Sequence, residues 1–381
     1  MEQDFYNYDE AMRHSRVRKK KAELMKKRRQ QLIRRRIMAA AMIFIIVLLA
    51  AVIINVASGI RKKSKAVNAD GNSVVEQTEA QDEPQTNEKE TKPSLIYSQV
   101  AADYKDLSGD TNVASPYAAL LDVDNHKIIA GKQATEKIYP ASMTKVMTLI
   151  VVSEHLDSIP KTYTFEFEML NRLYIEEASR AGFDTGETVD VEDLMYGLIL
   201  PSGADCAEAL AIMTAGSIEG FAELMNQKCT ELGLKNTRFA NPSGLHDDNQ
   251  YTTPAEMAMI MEYAMKDELR AKVLGTYQYT TKATPQHPEG IQLTSTMYSR
   301  IYGNEAPGVL VTAGKTGFVN QSGSCLVSYA VTNKGHAYVF CSSGATYRWA
   351  PVYDEIYVYK NIIPASEKDL ETETTKMSPN Y

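Results

Sequence analysis

Eighteen consecutive apolar residues, Ile37 to Ile54, follow thirteen lysines and arginines lying between Arg13 and Arg36, and this junction divides the chain of 381 residues. Carried through Ile60 the apolar stretch has about 24 residues, enough for a helix to cross a hydrocarbon core of ~30 Å. It is longer and later than the apolar core of a secretory leader, roughly 7–15 residues. The basic excess before it, against Arg61, Lys62, Lys63 and Lys65 after it, predicts a cytoplasmic N-terminus and an external remainder. A cleaved leader ending near Val56-Ala57-Ser58 is the alternative. The expected layout is a basic cytoplasmic segment 1–36, a transmembrane signal anchor 37–60, a disordered acidic linker 61–93 without aromatic residues, a folded domain 94–363 and a disordered acidic tail 364–381.

Charge is divided unevenly. Residues 1–65 carry 17 basic and 5 acidic groups, a balance of +12, so the remainder carries −19 of the net −7. An external domain that acidic excludes nucleic acid as a partner, because phosphate contacts need positive charge. The basic N-terminus suits anionic lipid at the inner membrane face. All four cysteines, Cys206, Cys229, Cys325 and Cys341, fall in the external part; a domain of this size buries enough apolar surface without bridges, so none is assigned. No Cys-x-x-Cys or His-Glu-x-x-His spacing occurs, so neither a zinc site nor any other cofactor is expected.

The folded part changes periodicity twice. Tyr117–Val123, a turn at Asp124-Asn125 and Lys127–Ala130 read as a strand hairpin. Helices are predicted over Ser142–His155, over Val191–Leu200 behind a cap at Asp190, and over Ser217–Leu232 with a stop at Gly233. Thr253-Pro254-Ala255-Glu256 joins a capping box to a proline in the first helical turn and starts a helix to about Met265. Strands return at Val309–Thr312, Ser324–Val331 and His336–Cys341, and Pro351–Lys360 closes as a helix. Strands at both ends with helices between predict one α/β (α+β) domain, its sheet completed by distant segments and flanked by a helical lobe.

Three short motifs stand in that frame. In KIYPASMTKVMT, Ser142 and Lys145 are three residues apart at a helix start, about 60° apart on one face, so their side chains can touch. In LILPSGADCAEALA, Ser202-Gly203 sits between two apolar helical stretches. In GKTGFVNQSGSC, Lys315-Thr316-Gly317 lies beside a strand, where glycines permit close approach of a ligand. Taken singly, Ser142 and Ser202 read as helix caps and Lys315 as a solvated turn residue. Together and in order, Ser-x-x-Lys, Ser-Gly and Lys-Thr-Gly resemble the active-serine signature of penicillin-binding proteins and serine β-lactamases. With the segments from Leu120, Gly186, Leu232 and Gly314, the likeness runs over roughly 95–350 and is to the low-molecular-mass D-alanyl-D-alanine carboxypeptidases.

That resemblance implies a β-lactamase/transpeptidase-like fold, an antiparallel sheet with a helical lobe carrying the active-serine helix, and a domain 94–363 that removes the terminal D-alanine from peptidoglycan stem peptides. It implies a bacterial cytoplasmic-membrane location with the catalytic domain outside, and β-lactams as acylating ligands. Ser142 would be the nucleophile and Lys145 its base. A neutral lysine is then required, and bringing the amine from ~10.4 toward 7 costs about 4 to 5 kcal/mol; burial and the nearby cation Lys315 are the available means. Ser202 would relay a proton to the departing amine, Lys315 and Thr316 would hold the substrate carboxylate, and the backbone N–H groups of Ser142 and of Phe318, after Gly317, would form the oxyanion hole.

The chain departs from the family pattern at one position. The second motif is ordinarily Ser-x-Asn, and here Ala204 follows Ser202-Gly203. The missing amide would hold the substrate's peptide group, a contact worth on the order of 1 to 3 kcal/mol, or about 10 to 100-fold in rate. Ala204 therefore predicts a slower or differently selective enzyme. The 64 residues after Gly317 are too few for the β-rich domain and amphipathic helix of many relatives, which leaves tethering to the N-terminal span. Glu168-Met169-Leu170-Asn171 imitates a β-lactamase motif but precedes Ser202 and is one residue short; Glu168 is expected on the solvated surface. A D,D-endopeptidase, a β-lactamase and a catalytically weakened peptidoglycan-binding scaffold remain as alternatives.

Overall fold

The computed structural model of the protein describes residues 95–368 apart from 302, 303 and 305. The expected membrane span and linker, and the tail beyond 368, lie outside the described residues. Among those described, no helix is long and apolar enough to cross a membrane.

Three strands from the start of the described chain and three from its end form one sheet: β1 (Gln99–Asp106), β2 (Tyr117–Asp122), β3 (Lys127–Lys132), β8 (Val309–Val319), β9 (Gly323–Thr332) and β10 (Ala337–Ala345), in the order β1-β3-β2-β10-β9-β8. The β2–β3 hairpin forms as expected, its turn closed by the Asn125 N–H donating to Asp122 Oδ1 at 3.1 Å. The expected antiparallel sheet is mixed at one edge, because β1 runs parallel to β3 while the other neighbours are antiparallel. The loop 107–116 carries the chain past β3, so no tight turn dictates the direction of β1. The apolar run Ala118–Leu121 belongs to a strand covered on both faces. Ala119 and Leu121 join the core shared with the helical lobe, and Ala118 and Leu120 join the core beneath the closing helix.

Strand β8 is longer than the sequence predicts. It continues through Lys315-Thr316-Gly317 to Val319, paired in register with β9 (Lys315 opposite Val327, Gly317 opposite Cys325). Gly314 and Gly317 do not end it, because both sites are too crowded for a side chain: a Cβ on Gly314 would meet Met297 Sδ at 2.0 Å. The third motif is thus part of the sheet edge rather than a loop beside it.

Between the two halves of the sheet lie α1 (Thr144–Ser153), α2 (Phe167–Ile175), α3 (Val191–Ile199), α4 (Ala204–Ala215), α5 (Ile218–Glu231), α6 (Pro254–Ala264), α7 (Glu268–Gly275) and the short α8 (Tyr298–Ile301), with the two-stranded pairs β4 (Thr162–Thr164) with β5 (Thr188–Asp190) and β6 (Gln278–Thr280) with β7 (Gln292–Thr294). Every residue of α1 from Thr144 to Val152 is buried, which makes it the central helix of the lobe. Helix α6 packs on α1 and on β2 and β10, and the closing helix α9 (Ala350–Asn361) packs on β9 and β10.

Two helix starts follow their sequence signals and one does not. Ser217 Oγ accepts from the Gly220 N–H at 3.0 Å, and α5 ends before Gly233, whose φ is +71°. Thr253 Oγ1 accepts from the Glu256 N–H at 3.1 Å, but Glu256 does not reach back to close the box. Its carboxylate accepts from the N–H groups of Lys235 and Asn236 and from Thr237 Oγ1, fastening the preceding loop to α6. Asp190 precedes α3 without capping it, since its carboxylate pairs with Lys282.

Candidate active site

Ser142 sits in a 3₁₀ turn, Ala141–Met143, that leads into α1, and its side chain caps neither element. Lys145, one turn further, donates to Ser142 Oγ at 3.1 Å and to the carbonyl oxygen of Ser243. The lysine is 1% exposed. Burial brings its amine down from 10.5 to about 7, although Asp205, Cys206 and Glu208 pull the other way; desolvation outweighs attraction because the charged form has lost its water. The Ser243 carbonyl is presented by a turn at Asn241-Pro242-Ser243-Gly244. Asn241 Oδ1 accepts from the Ser243 and Gly244 N–H groups, and Thr148 Oγ1 donates to the Pro242 carbonyl at 2.7 Å. Gly244 has φ +81°, and a Cβ there would lie 1.9 Å from the Ala141 carbonyl oxygen. This turn presses on the peptide just before Ser142, where Ala141 itself holds φ +45°.

Ser202 precedes α4, is buried, and adopts φ +65°. A left-handed non-glycine residue is costly and persists only where its surroundings enforce it. Here Ser179 Oγ donates to the Ser202 carbonyl at 2.9 Å, and the Ala204 N–H donates to the Ser179 carbonyl at 2.7 Å. Asp205 turns away from the cleft: it accepts from the Ala181, Gly182 and Cys206 N–H groups and so pins the same loop.

Lys315, on β8, donates to Ser202 Oγ at 2.9 Å and to the Thr316 carbonyl at 2.8 Å. It is 1% exposed, and burial, reinforced by the positive charge of Lys145, holds its amine well below the usual lysine value. Thr316 Oγ1 lies 2.7 Å from Thr296 Oγ1. A Cβ on Gly317 would lie 2.9 Å from the Ser142 nitrogen, so the glycine is what lets the sheet edge pass beside the serine's backbone N–H. Phe318 follows, lines the cleft, and is 61% exposed. None of the three motif residues behaves as an isolated cap or a solvated turn lysine.

The structure brings Ser142, Lys145, Ser202, Thr316, Gly317 and Phe318 to one cleft of about 1080 Å³, with Lys315 beneath it. Ala204 lines the same cleft and offers no polar group, while Glu168 is exposed and takes no part in the lining. Sequence reading missed several lining residues: Thr296, the Ser243 turn, and the arginines Arg300 and Arg348, whose guanidinium carbons lie 4.3 and 5.8 Å from the ring centre of Trp349. It missed Arg172 and Glu208 as well, which pair within the cleft wall. Proline and glycine mark the Ser243 turn in the sequence; the others carry no local signal. The four cysteines are free and buried.

A hydroxyl in contact with an amine whose protonation is balanced near neutrality, beside a second hydroxyl held by a lysine, can activate a nucleophile and move a proton to a leaving group. Two arginines supply positive charge for an anionic end group, and such a group beside Lys315 would favour the charged form of its amine. The curated relatives include the D-alanyl-D-alanine carboxypeptidase DacF of Bacillus subtilis, 31% identical over 213 residues, which cover 56% of this chain and 53% of the relative. A D-alanyl-D-alanine endopeptidase of Pseudomonas aeruginosa is 26% identical over 226 residues, covering 58% of this chain and 69% of that one. The chain thus spans about half the length of the first of these relatives. Among solved structures, the Streptomyces K15 DD-transpeptidase superposes with a TM-score of 0.59 at 26% identity, over 66% of this chain and 98% of that one. Penicillin-binding protein 5 of Haemophilus influenzae gives 0.57 at 26%, over 65% and 70%. The family defined as D-alanyl-D-alanine carboxypeptidase, peptidase S11, matches residues 104–340, more than half of the chain, and the protein belongs to that family.

Proposed function

We propose that the protein is a serine-type D-alanyl-D-alanine carboxypeptidase that trims peptidoglycan stem peptides outside the bacterial cytoplasmic membrane, tethered by the apolar span 37–60. The observation that carries the reading is the buried Lys145 amine, poised at about 7 and 3.1 Å from Ser142 Oγ. Ser142 Oγ attacks the carbonyl between the last two D-alanines and gives its proton to Lys145. The developing oxyanion is met by the backbone N–H groups of Ser142 and Phe318. As the carbon–nitrogen bond breaks, Ser202, held by Lys315, hands its proton to the departing D-alanine and is reprotonated with the proton Lys145 took from Ser142, which leaves the Lys145 amine neutral again. Water then attacks the acyl-serine, Lys145 takes its proton, and that proton returns to Ser142 Oγ as the bond between the acyl carbon and Oγ breaks.

The substrate's terminal carboxylate is held by Lys315 and Thr316, with Arg300 and Arg348 adding charge at long range. A carboxylate beside a lysine whose amine burial has pushed down restores the cation, so binding takes up a proton. β-Lactams acylate the same serine and leave it slowly.

D-alanine release from a pentapeptide ending in D-Ala-D-Ala, by the full chain in detergent, is the direct test, paired with mass spectrometry after labelled penicillin. Release with a stable adduct on Ser142 is the expected result; rapid penicillin hydrolysis would indicate a β-lactamase, and no adduct a scaffold. A D,D-endopeptidase is the second reading, favoured by the likeness to the Pseudomonas protein, and release of cross-linked dimers into monomers separates it.

A further inference from the structure

Ala204 and Glu208 are one helical turn apart on α4 and line the same cleft. Glu208 is buried. Its carboxylate accepts from Nη2 of Arg172, a residue of the neighbouring α2 that also lines the cleft, and Arg172 Nη1 lies 3.4 Å from Glu176 Oε2. A guanidinium carries five N–H donors in a planar fork. Two are engaged by these carboxylates, which hold the fork in place and leave three to offer. Where the second motif would put an amide, the cleft wall instead has a methyl group and, one turn on, the glutamate that braces Arg172.

Resting on the carboxypeptidase reading, we propose that Arg172, oriented by Glu208, donates to the amide carbonyl on the acyl side of the scissile bond and so replaces the side-chain amide that Ala204 lacks. The chemistry fits the position. A peptide carbonyl is a neutral acceptor, a charged donor binds it more strongly than an amide does, and the pairing with Glu208 offsets the arginine's charge in the cleft wall. Glu208 serves as a positioning residue; Arg172 makes the contact. The enzyme would then prefer acyl donors carrying that carbonyl, as the stem peptide does.

The rival account is that Arg172 only neutralises a buried carboxylate. The two are separated by comparing Ser142 acylation by benzylpenicillin, which has a side-chain amide carbonyl, with acylation by 6-aminopenicillanic acid, which lacks it. In Arg172→Gln the rate with benzylpenicillin is expected to fall on the order of tenfold or more relative to 6-aminopenicillanic acid. That ratio is taken within one preparation, so it does not depend on how much of the variant folds. The double variant Arg172→Gln/Glu208→Gln, which has no unpaired charge, should keep the altered ratio, and adding Ala204→Asn to Arg172→Gln should restore it. An unchanged ratio in Arg172→Gln, or a return to the wild-type ratio in the double variant, overturns the proposal while leaving the carboxypeptidase reading intact. Absence of any Ser142 adduct in the unaltered protein overturns both.

Discussion

Lys315 Nζ lies 2.9 Å from Ser202 Oγ, across 113 residues of chain. The contact joins the edge of the sheet to the start of α4 in the helical lobe, and it closes the cleft beneath Ser142. In the proposed function it gives Lys315 two tasks, as the partner of Ser202 and as the group that meets the substrate carboxylate.

Removing either partner is therefore expected to have different kinetic consequences. Lys315→Met should lower kcat/KM for D-alanine release by about 100-fold or more, with KM raised, because both the carboxylate contact and the Ser202 contact are lost. Ser202→Ala keeps the cation, so kcat should fall by on the order of 10 to 100-fold with KM little changed. Equal effects of the two variants on KM would contradict this division.

Lys145 gives a pH dependence with a definite sign. Acylation requires the neutral amine, so the rate of penicillin labelling should rise with pH through about 7 and level off above it. The same group opposes folding. Its amine titrates near 10.5 when unfolded and about 7 when folded, so the unfolded chain binds more protons between those values and stability rises with pH across that window, the full penalty lying below 7. Lys145→Met should abolish labelling yet stabilise the fold, by up to about 5 kcal/mol at acidic pH, read as a raised urea midpoint.

Glu355 offers the opposite slope. Its carboxyl is fully buried on α9, and burial raises it from 4.5 to about 8. The folded state then binds more protons than the unfolded state between those values, and stability falls as pH rises through them. Glu355→Gln should change little at pH 5 and stabilise the domain above pH 8, by a few kcal/mol up to about 5. Urea midpoints at pH 5, 7 and 9 measure this directly.

Gly244 tests the support of the nucleophile. With φ +81° and a Cβ position 1.9 Å from the Ala141 carbonyl oxygen, Gly244→Ala must move the peptide before Ser142 or unfold the turn. The expected result is loss of penicillin labelling together with about 1–3 kcal/mol of stability. Labelling at the wild-type rate would show that the turn is not needed to hold Ser142.

Much of the fold is legible from local pattern. The β2–β3 hairpin, the caps at Ser217 and Thr253 and the stop at Gly233 all obey short-range chemistry. Helices α2 and α7 escape such reading because their sequences, FEMLNRLYI and ELRAKVLG, carry polar residues on most turns and are held by packing. Asp190 looks like a cap and is diverted by Lys282, a residue 92 positions away. The parallel pairing of β1 and the continuation of β8 through two glycines likewise depend on neighbours that no local window contains.

The sequence by itself determined the order and spacing of Ser142, Lys145, Ser202 and Lys315-Thr316-Gly317, because helical geometry and motif order are local properties. Only the tertiary structure decided what surrounds them: the Ser243 carbonyl on Lys145, the Lys315–Ser202 contact, Arg300 and Arg348 stacked on Trp349, and Arg172 braced by Glu208 next to Ala204. These are meetings of distant segments. The lowered Lys145 amine depends on them, since a lysine gives up its proton near neutrality only when folding has stripped it of water.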